Sequence, residues 1–234
     1  MIIIEDLKKS FGKLDVLKGI DLQMEDSSVY AIVGPNASGK TTLIKSILGL
    51  TKPDSGTISV NNHIVNGDCS YRKQLGYMPQ IARFPDNLTV KEVLKLVRDL
   101  RNHPEQTDDE LIPIFKLEKE MNKALKNLSG GTRQKVSAVI AFLFKPQTLI
   151  LDEPTAGLDP ISSSALKDKI IRERKNGKTF ILTSHIISEI EELADQIIFL
   201  LDGRIYFQGP VSMIRQRMQE QKLERAIAAM MENI

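Results

Sequence analysis

The sequence predicts an α/β fold: a mainly parallel sheet covered by helices, with an N-terminal antiparallel β-subdomain and an inserted α-helical subdomain. Three observations carry this expectation. Short apolar strands alternate with amphipathic helical segments, which is the pattern of a sheet wrapped by helices. The N-terminal part has strand alternation and turn signals, as antiparallel sheets do. From residue 81 to about 126 the character turns helical.

In chain order, residues 2–4, 16–22 and 57–60 read as antiparallel strands. Residues 29–33 (VYAIV) form a buried strand, followed by a glycine-containing loop and a helix from about Gly39 to Leu50. Thr89 is placed to cap a helix running from Val90 to Arg101, with Glu92 completing a capping box. Residues 102–109 are polar, contain Pro104 and read as a loop. Residues 148–151 and 179–183 are two more buried strands. Segments 197–201 and 204–207 flank Asp202-Gly203, a strong hairpin signal. Residues 211–232 read as one amphipathic helix. One domain over 1–234 is expected: 1–80 and 127–210 as the sheet core, 81–126 as the helical subdomain and 211–234 as a C-terminal helix.

Composition narrows the function classes. With 41% hydrophobic and 26% charged residues over 234 positions, a sizeable core is expected. The net charge of +2 gives no electrostatic reason to expect a nucleic-acid partner. A single cysteine, Cys69, excludes an internal disulfide and a cysteine-based zinc site, and suits a reducing cytoplasm. The N-terminal apolar run meets Glu5 and Asp6 too soon for a signal peptide. No stretch reaches the ~18 apolar residues of a membrane span. If the protein works at a membrane, another chain has to cross it.

The octapeptide Gly34-Pro35-Asn36-Ala37-Ser38-Gly39-Lys40-Thr41 fits G-x-x-x-x-G-K-[ST] at every fixed position. It also lies between a strand and a helix, the context the motif requires. Backbone N–H groups of such a loop point at a phosphate, and the following helix adds its positive end. Lys40 can reach β- and γ-phosphates, and the Thr41 hydroxyl can ligate Mg²⁺. Alanine at position 37 tolerates positive φ poorly, so ordinary backbone angles are expected there. The strand ending in Asp152-Glu153 would carry both carboxylates to the sheet edge where ligands of α/β folds sit. Asp152 suits the Mg²⁺ shell, and Glu153 suits polarisation of an attacking water. These parts predict a P-loop NTPase core.

Further strings, in order along the chain, narrow the class. Leu128-Ser129-Gly130-Gly131-Thr132 resembles the signature sequence of ATP-binding cassette proteins. Gln80 after Gly76-Tyr77-Met78-Pro79 resembles the Q-loop glutamine, and Ala156-Gly157-Leu158-Asp159 the D-loop. His185 resembles the switch histidine, and Phe11 the aromatic that stacks on adenine, with Val16 packing nearby. For Phe11, a place in the core is the competing reading. The resemblance covers nearly the whole chain.

It implies that Gly34 to Thr41, with Thr42, bind ATP, and that Ser129, Gly130, Gly131 and Asp159 meet nucleotide across a dimer of cassettes. It also implies that Gln80 joins Thr41 and Asp152 at Mg²⁺, and that Gln80 and His185 assist Glu153 in hydrolysis. Thr132 departs from the commoner glutamine. The expected partners are a second cassette, as a homodimer, and an integral membrane permease of the ABC-2 type. The expected location is cytoplasmic, on the inner face of the membrane. The string 128–136 and the ending 223–227 are similar to the cassette for copper-site maturation of nitrous oxide reductase. A soluble cassette ATPase without a transport role and a non-hydrolysing regulatory cassette are the competing classes. Glu153 and His185 together argue against the second.

Overall fold

The computed structural model describes residues 1–101 and 106–232. Its strands are β1 (Ile2–Phe11), β2 (Leu14–Met24), β3 (Val29–Val33), β4 (Ser55–Val60), β5 (His63–Ile64), β6 (Leu75–Met78), β7 (Thr148–Asp152), β8 (Thr179–Thr183), β9 (Gln196–Leu201) and β10 (Arg204–Pro210). Its helices are α1 (Lys40–Ile47), α2 (Val90–Asp99), α3 (Leu111–Ile114), α4 (Gly130–Phe142), α5 (Pro160–Lys175), α6 (Ile187–Leu193), α7 (Val211–Met218) and α8 (Leu223–Glu232). The chain divides into two compact units: Met1–Lys73 with Thr179 onward, and Gln74–Lys178.

The first unit holds an antiparallel sheet in the order β2-β1-β4-β5. Ile2, Ile4 and Leu7 of β1 are buried. They alternate with outward residues until a register shift between Ile4 and Leu7. There Asp6 adopts φ 44 and its N–H donates to Asp21 Oδ1, the mark of a bulge. In the same unit β3 pairs in parallel with β8 and β9. Every residue of β3 and β8 is buried, as expected of parallel strands covered on both faces. The hairpin β9–β10 turns on Asp202 (φ 45) and Gly203 (φ 72), the two positive φ values of a type I′ turn.

The second unit pairs β6 in parallel with β7, Met78 opposite Leu151. Its helical subdomain comprises α2, α3 and short 3₁₀ turns at Leu117–Glu120 and Leu125–Asn127. Val90, Val93, Leu94, Leu111, Leu117 and Leu125 supply its core. The Thr89–Glu92 capping box is fully formed, and the Thr89 N–H holds the Glu92 carboxyl below the usual range. Lys169 of α5 is buried, but its ammonium pairs with Asp108 and Glu110 at 2.7 Å. It also lies 5.2 Å from the Phe142 ring centroid. A buried cation is tolerated only with such compensation.

Four expectations are corrected. Helix α1 stops at Ile47 rather than Leu50, because Gly49 takes φ 65 and its N–H bonds back to Ser46. Helix α2 ends at Asp99, with Leu100 as its cap, two residues before Arg101. The C-terminal segment is two helices, α7 and α8, broken where Gln219 turns to φ 54. Ala37 does not keep ordinary angles; its φ is 62. Of the expected loop at 102–109, residues 106–109 are irregular and residues 102–105 lie outside the described residues.

Candidate nucleotide site

The phosphate loop lies in the first unit, between β3 and α1. Gly39 caps α1 at φ 108, a conformation that only glycine adopts without strain. It also has no room for a side chain: a Cβ there would lie 2.9 Å from Leu17 Cδ2 and 3.0 Å from the Val16 carbonyl. Val16 on β2 therefore abuts the start of the loop helix. Lys40 Nζ donates to the carbonyls of Gly34 and Pro35, both at 2.8 Å. The ammonium thus spans the mouth of the loop. Ser38 is buried and its Oγ has no hydrogen-bond partner. An orphaned hydroxyl beside a helix N-terminus fits a loop shaped for an anion. Asn36, Ala37 and Thr41 are exposed, while Pro35 and Thr42 are half-buried.

Phe11 ends β1 and is 53% exposed, which removes the core reading. Lys9 Nζ lies 5.2 Å from its ring centroid. His185 follows β8 and is exposed. The turn that presents it is fixed by Ser184, whose Oγ donates to Glu189 Oε2 at 2.9 Å and accepts the Ile186 N–H at 3.0 Å.

The acidic pair lies in the second unit, at the end of β7. Asp152 and Glu153 are 7% and 9% exposed. Glu153 has φ 52, strain that a non-glycine residue keeps only where the surroundings impose it. The Tyr77 hydroxyl nearby is raised above its usual range, first by burial and then by the charge of Asp152. Ser129 caps α4 by accepting the Thr132 N–H at 3.2 Å. The Thr132 hydroxyl lies 2.8 Å from that of Ser129, so this departure from the common signature reinforces the cap. A Cβ on Gly131 would lie 2.3 Å from the Gly157 carbonyl, whereas one on Gly130 would meet nothing within 4 Å. One glycine is needed for packing, and the other leaves bare backbone facing outward.

Asp159 caps α5, accepting from Ser162 N at 3.0 Å and pairing with Lys135 Nζ at 2.6 Å. Lys135 above all, then Ser162, holds its carboxyl far below the usual range. Signature helix and D-loop are thus joined by an ion pair and a glycine contact. Lys135, Ser162 and Ser184 escaped the sequence reading. Ser162 lies at the third position after Asp159, where the backbone partner of an N-cap residue falls, and Lys135 lies within the segment 128–136. Gln80 is exposed just after β6. It borders a cavity of about 290 Å³ whose walls include Gly130, Gly131, Gln134, Ala156 and Gly157.

Residues 17–156 match the family model described as ABC transporter. The chain is 35% identical over 208 residues to the lantibiotic transport ATP-binding protein SrtF of Streptococcus pyogenes, covering 88% of this chain and 89% of the relative. This chain belongs to the ABC transporter family. It is also 31% identical to the ABC-type transporter ATP-binding protein EcsA of Bacillus subtilis, over 93% and 90% of the two chains. A solved ATP-binding subunit of an ABC transporter superposes with TM-score 0.91 at 29% identity, over 97% of this cassette and 98% of that one. The cassette is the ATP-binding and ATP-hydrolysing subunit of such a transporter. Among the described residues no helix is long and apolar enough to cross a membrane.

Proposed function

We propose that this cassette works as a dimer that closes on two Mg-ATP molecules and drives a separate integral membrane permease. The reading places it on the cytoplasmic face of that membrane, held there by the permease. The carrying observation is the outward-facing backbone at Gly130 on a capped helix N-terminus, which suits an anion brought by a second chain.

In this reading the amides of residues 34–42 and the Lys40 ammonium hold the β- and γ-phosphates, with Lys40 exchanging its two carbonyl partners for phosphate oxygens. The exposed face of Phe11, with Val16 behind the loop, takes the adenine. Thr41, Gln80 and Asp152 supply hydroxyl, amide and carboxylate oxygens, a donor set suited to Mg²⁺. That ion would neutralise charge on the transferring phosphoryl group. Glu153 orients and polarises water, and His185 hydrogen-bonds the phosphate being lost. Ser129, Gly130, Gly131 and Asp159 face the nucleotide of the other cassette.

Residues 81–126 act as the mobile helical subdomain on the sheet core of 1–80 and 127–210. Ile81 is 67% exposed, which supports the 81–88 segment as an edge that receives the permease. The permease is of the ABC-2 type in this reading. The relative named for Nod factor export supports an exporting complex, and those named for lantibiotic transport and linearmycin resistance are compatible with one. The narrower resemblance to the nitrous oxide reductase maturation cassette rests on two strings and adds no substrate.

The test is light scattering of Glu153→Gln with Mg-ATP. Because hydrolysis resets the dimer, the variant should accumulate as a dimer that disperses when ATP is removed. A strictly monomeric variant that still binds ATP would overturn the sandwich.

A further inference from the structure

Gln134 has no role in the chemistry above, yet it is only 4% exposed and its Nε2 is sealed from solvent without a hydrogen-bond partner. It lies on the second turn of α4, behind the signature glycines, and lines the same cavity as Gln80. Orphaning a buried amide donor costs roughly 1–3 kcal/mol. Such a group calls for a physical explanation, and pairing in a second conformation is one that the cavity beside it allows.

The cavity identifies which wall supplies the partner. One wall is the D-loop turn, which is braced by Ala156 N to the Glu153 carbonyl, Leu158 N to the Thr155 carbonyl and the Lys135–Asp159 ion pair. Gly131 packs onto it without room for a methyl group, so this wall is fixed to α4. Gln80, Ile81 and Ala82 also line the cavity, and they lie outside regular structure, between β6 and α2. Of these, Gln80 and Ile81 are exposed. No helix or strand hydrogen bonds hold that segment, although Ala82 is buried, and it carries the Gln80 amide and main-chain carbonyls as acceptors.

We propose that Gln134 is a positioning residue that ties the signature helix to the Q-loop wall. With Mg-ATP bound the cavity narrows, and Gln134 Nε2 donates to an acceptor on residues 80–82. Pairing the donor stabilises the narrowed state relative to the open one, so arrival of nucleotide at Gln80 is passed to the helix that meets the second cassette. This rests on the ATP reading above.

The chain contains no tryptophan, so Ile81→Trp gives a single reporter on the moving wall. Mg-ATP is titrated into Ile81→Trp with Gln134 intact, with Gln134→Met and with Gln134→Leu, two apolar replacements that guard against one failing to fold. Binding is followed separately with a fluorescent ATP analogue. The nucleotide-induced change in the emission of the introduced tryptophan should fall at least about twofold in both variants while ATP affinity stays within about twofold. The nucleotide-free melting temperature should hold or rise, since a donor that was orphaned has been removed. Equal emission changes in all three chains, no change in any of them despite binding, or a lowered melting temperature in both apolar variants would overturn the proposal. Absence of ATP binding by the chain with Gln134 intact would overturn the functional reading, and this inference with it.

Discussion

At the scale of single residues, two positions of the candidate nucleotide site take a left-handed backbone. Ala37 and Glu153 both sit at positive φ, each at a cost of about 1–2 kcal/mol for a residue with a Cβ. For Ala37 this makes a direct prediction. Ala37→Gly should raise the unfolding free energy by up to about 1 kcal/mol, because glycine takes this φ freely but loses more chain entropy. Nucleotide affinity should hold, and chemical denaturation beside an ATP titration checks both. A second residue-scale prediction concerns Asp159. Its carboxyl is depressed in the folded state, so the unfolded chain binds the proton more readily. Its contribution is therefore present above the unfolded value of about 4 and is lost as pH falls toward the lower folded one. Asp159→Asn should flatten acid unfolding between about pH 4 and pH 2 relative to the parent, as followed by circular dichroism. The sequence named the phosphate-loop residues but misjudged the conformation of Ala37. Local composition cannot show that the closure of a loop over a helix N-terminus forces a left-handed angle.

At the scale of elements, the signature helix and the D-loop are one assembly, and its two glycines separate packing from recognition. Gly131→Ala would drive a methyl group into the Gly157 carbonyl at 2.3 Å. It should therefore cost stability, by roughly 1–3 kcal/mol as overpacking does. Gly130→Ala meets open space, so it should fold with the parent's melting temperature yet weaken the ATP-dependent dimer in the Glu153→Gln background. Thermal melts beside light scattering distinguish the two, and equal effects on stability would refute the division. The elements themselves were unevenly legible. Strands β3 and β8 were read to the residue because they are short β-branched or aromatic runs buried on both faces. The start of α2 was read from its capping box. Strand β6 was missed because it is only four residues long and Gly76 interrupts its apolar run. The break between α7 and α8 falls at Gln219, with no glycine or proline to announce it. Tertiary packing of the apolar faces on either side decides that break, and a single chain does not display it.

At the scale of the whole molecule, each cassette carries half of two different sites if the sandwich reading holds. Its P-loop serves its own nucleotide and its signature serves the partner's. That division has a consequence no single variant shows. Lys40→Ala removes the ammonium that grips phosphate, and Gly130→Asp puts a carboxylate against the incoming γ-phosphate. Each homodimer is then dead at both sites. In a mixed dimer, however, the intact P-loop of the Gly130→Asp chain faces the intact signature of the Lys40→Ala chain, and the other site collects both defects. With free exchange of subunits, half of the dimers are mixed and each has one working site. An equimolar mixture should therefore recover about a quarter of the parent's phosphate release if the sites fire independently. Phosphate release from the two pure variants and from their mixture, at matched total protein, makes the measurement. Recovery well above the two pure variants requires composite sites. A mixture no more active than the pure variants would mean that both sites must be intact for turnover or that each chain hydrolyses alone. Repeating the measurement in the Glu153→Gln background, with trapped ATP counted instead of phosphate, separates those two: with composite sites the pure Gly130→Asp chain traps none and the mixture about a quarter of the parent's amount, whereas self-contained chains trap ATP wherever Lys40 is kept, in the pure Gly130→Asp variant as in the mixture.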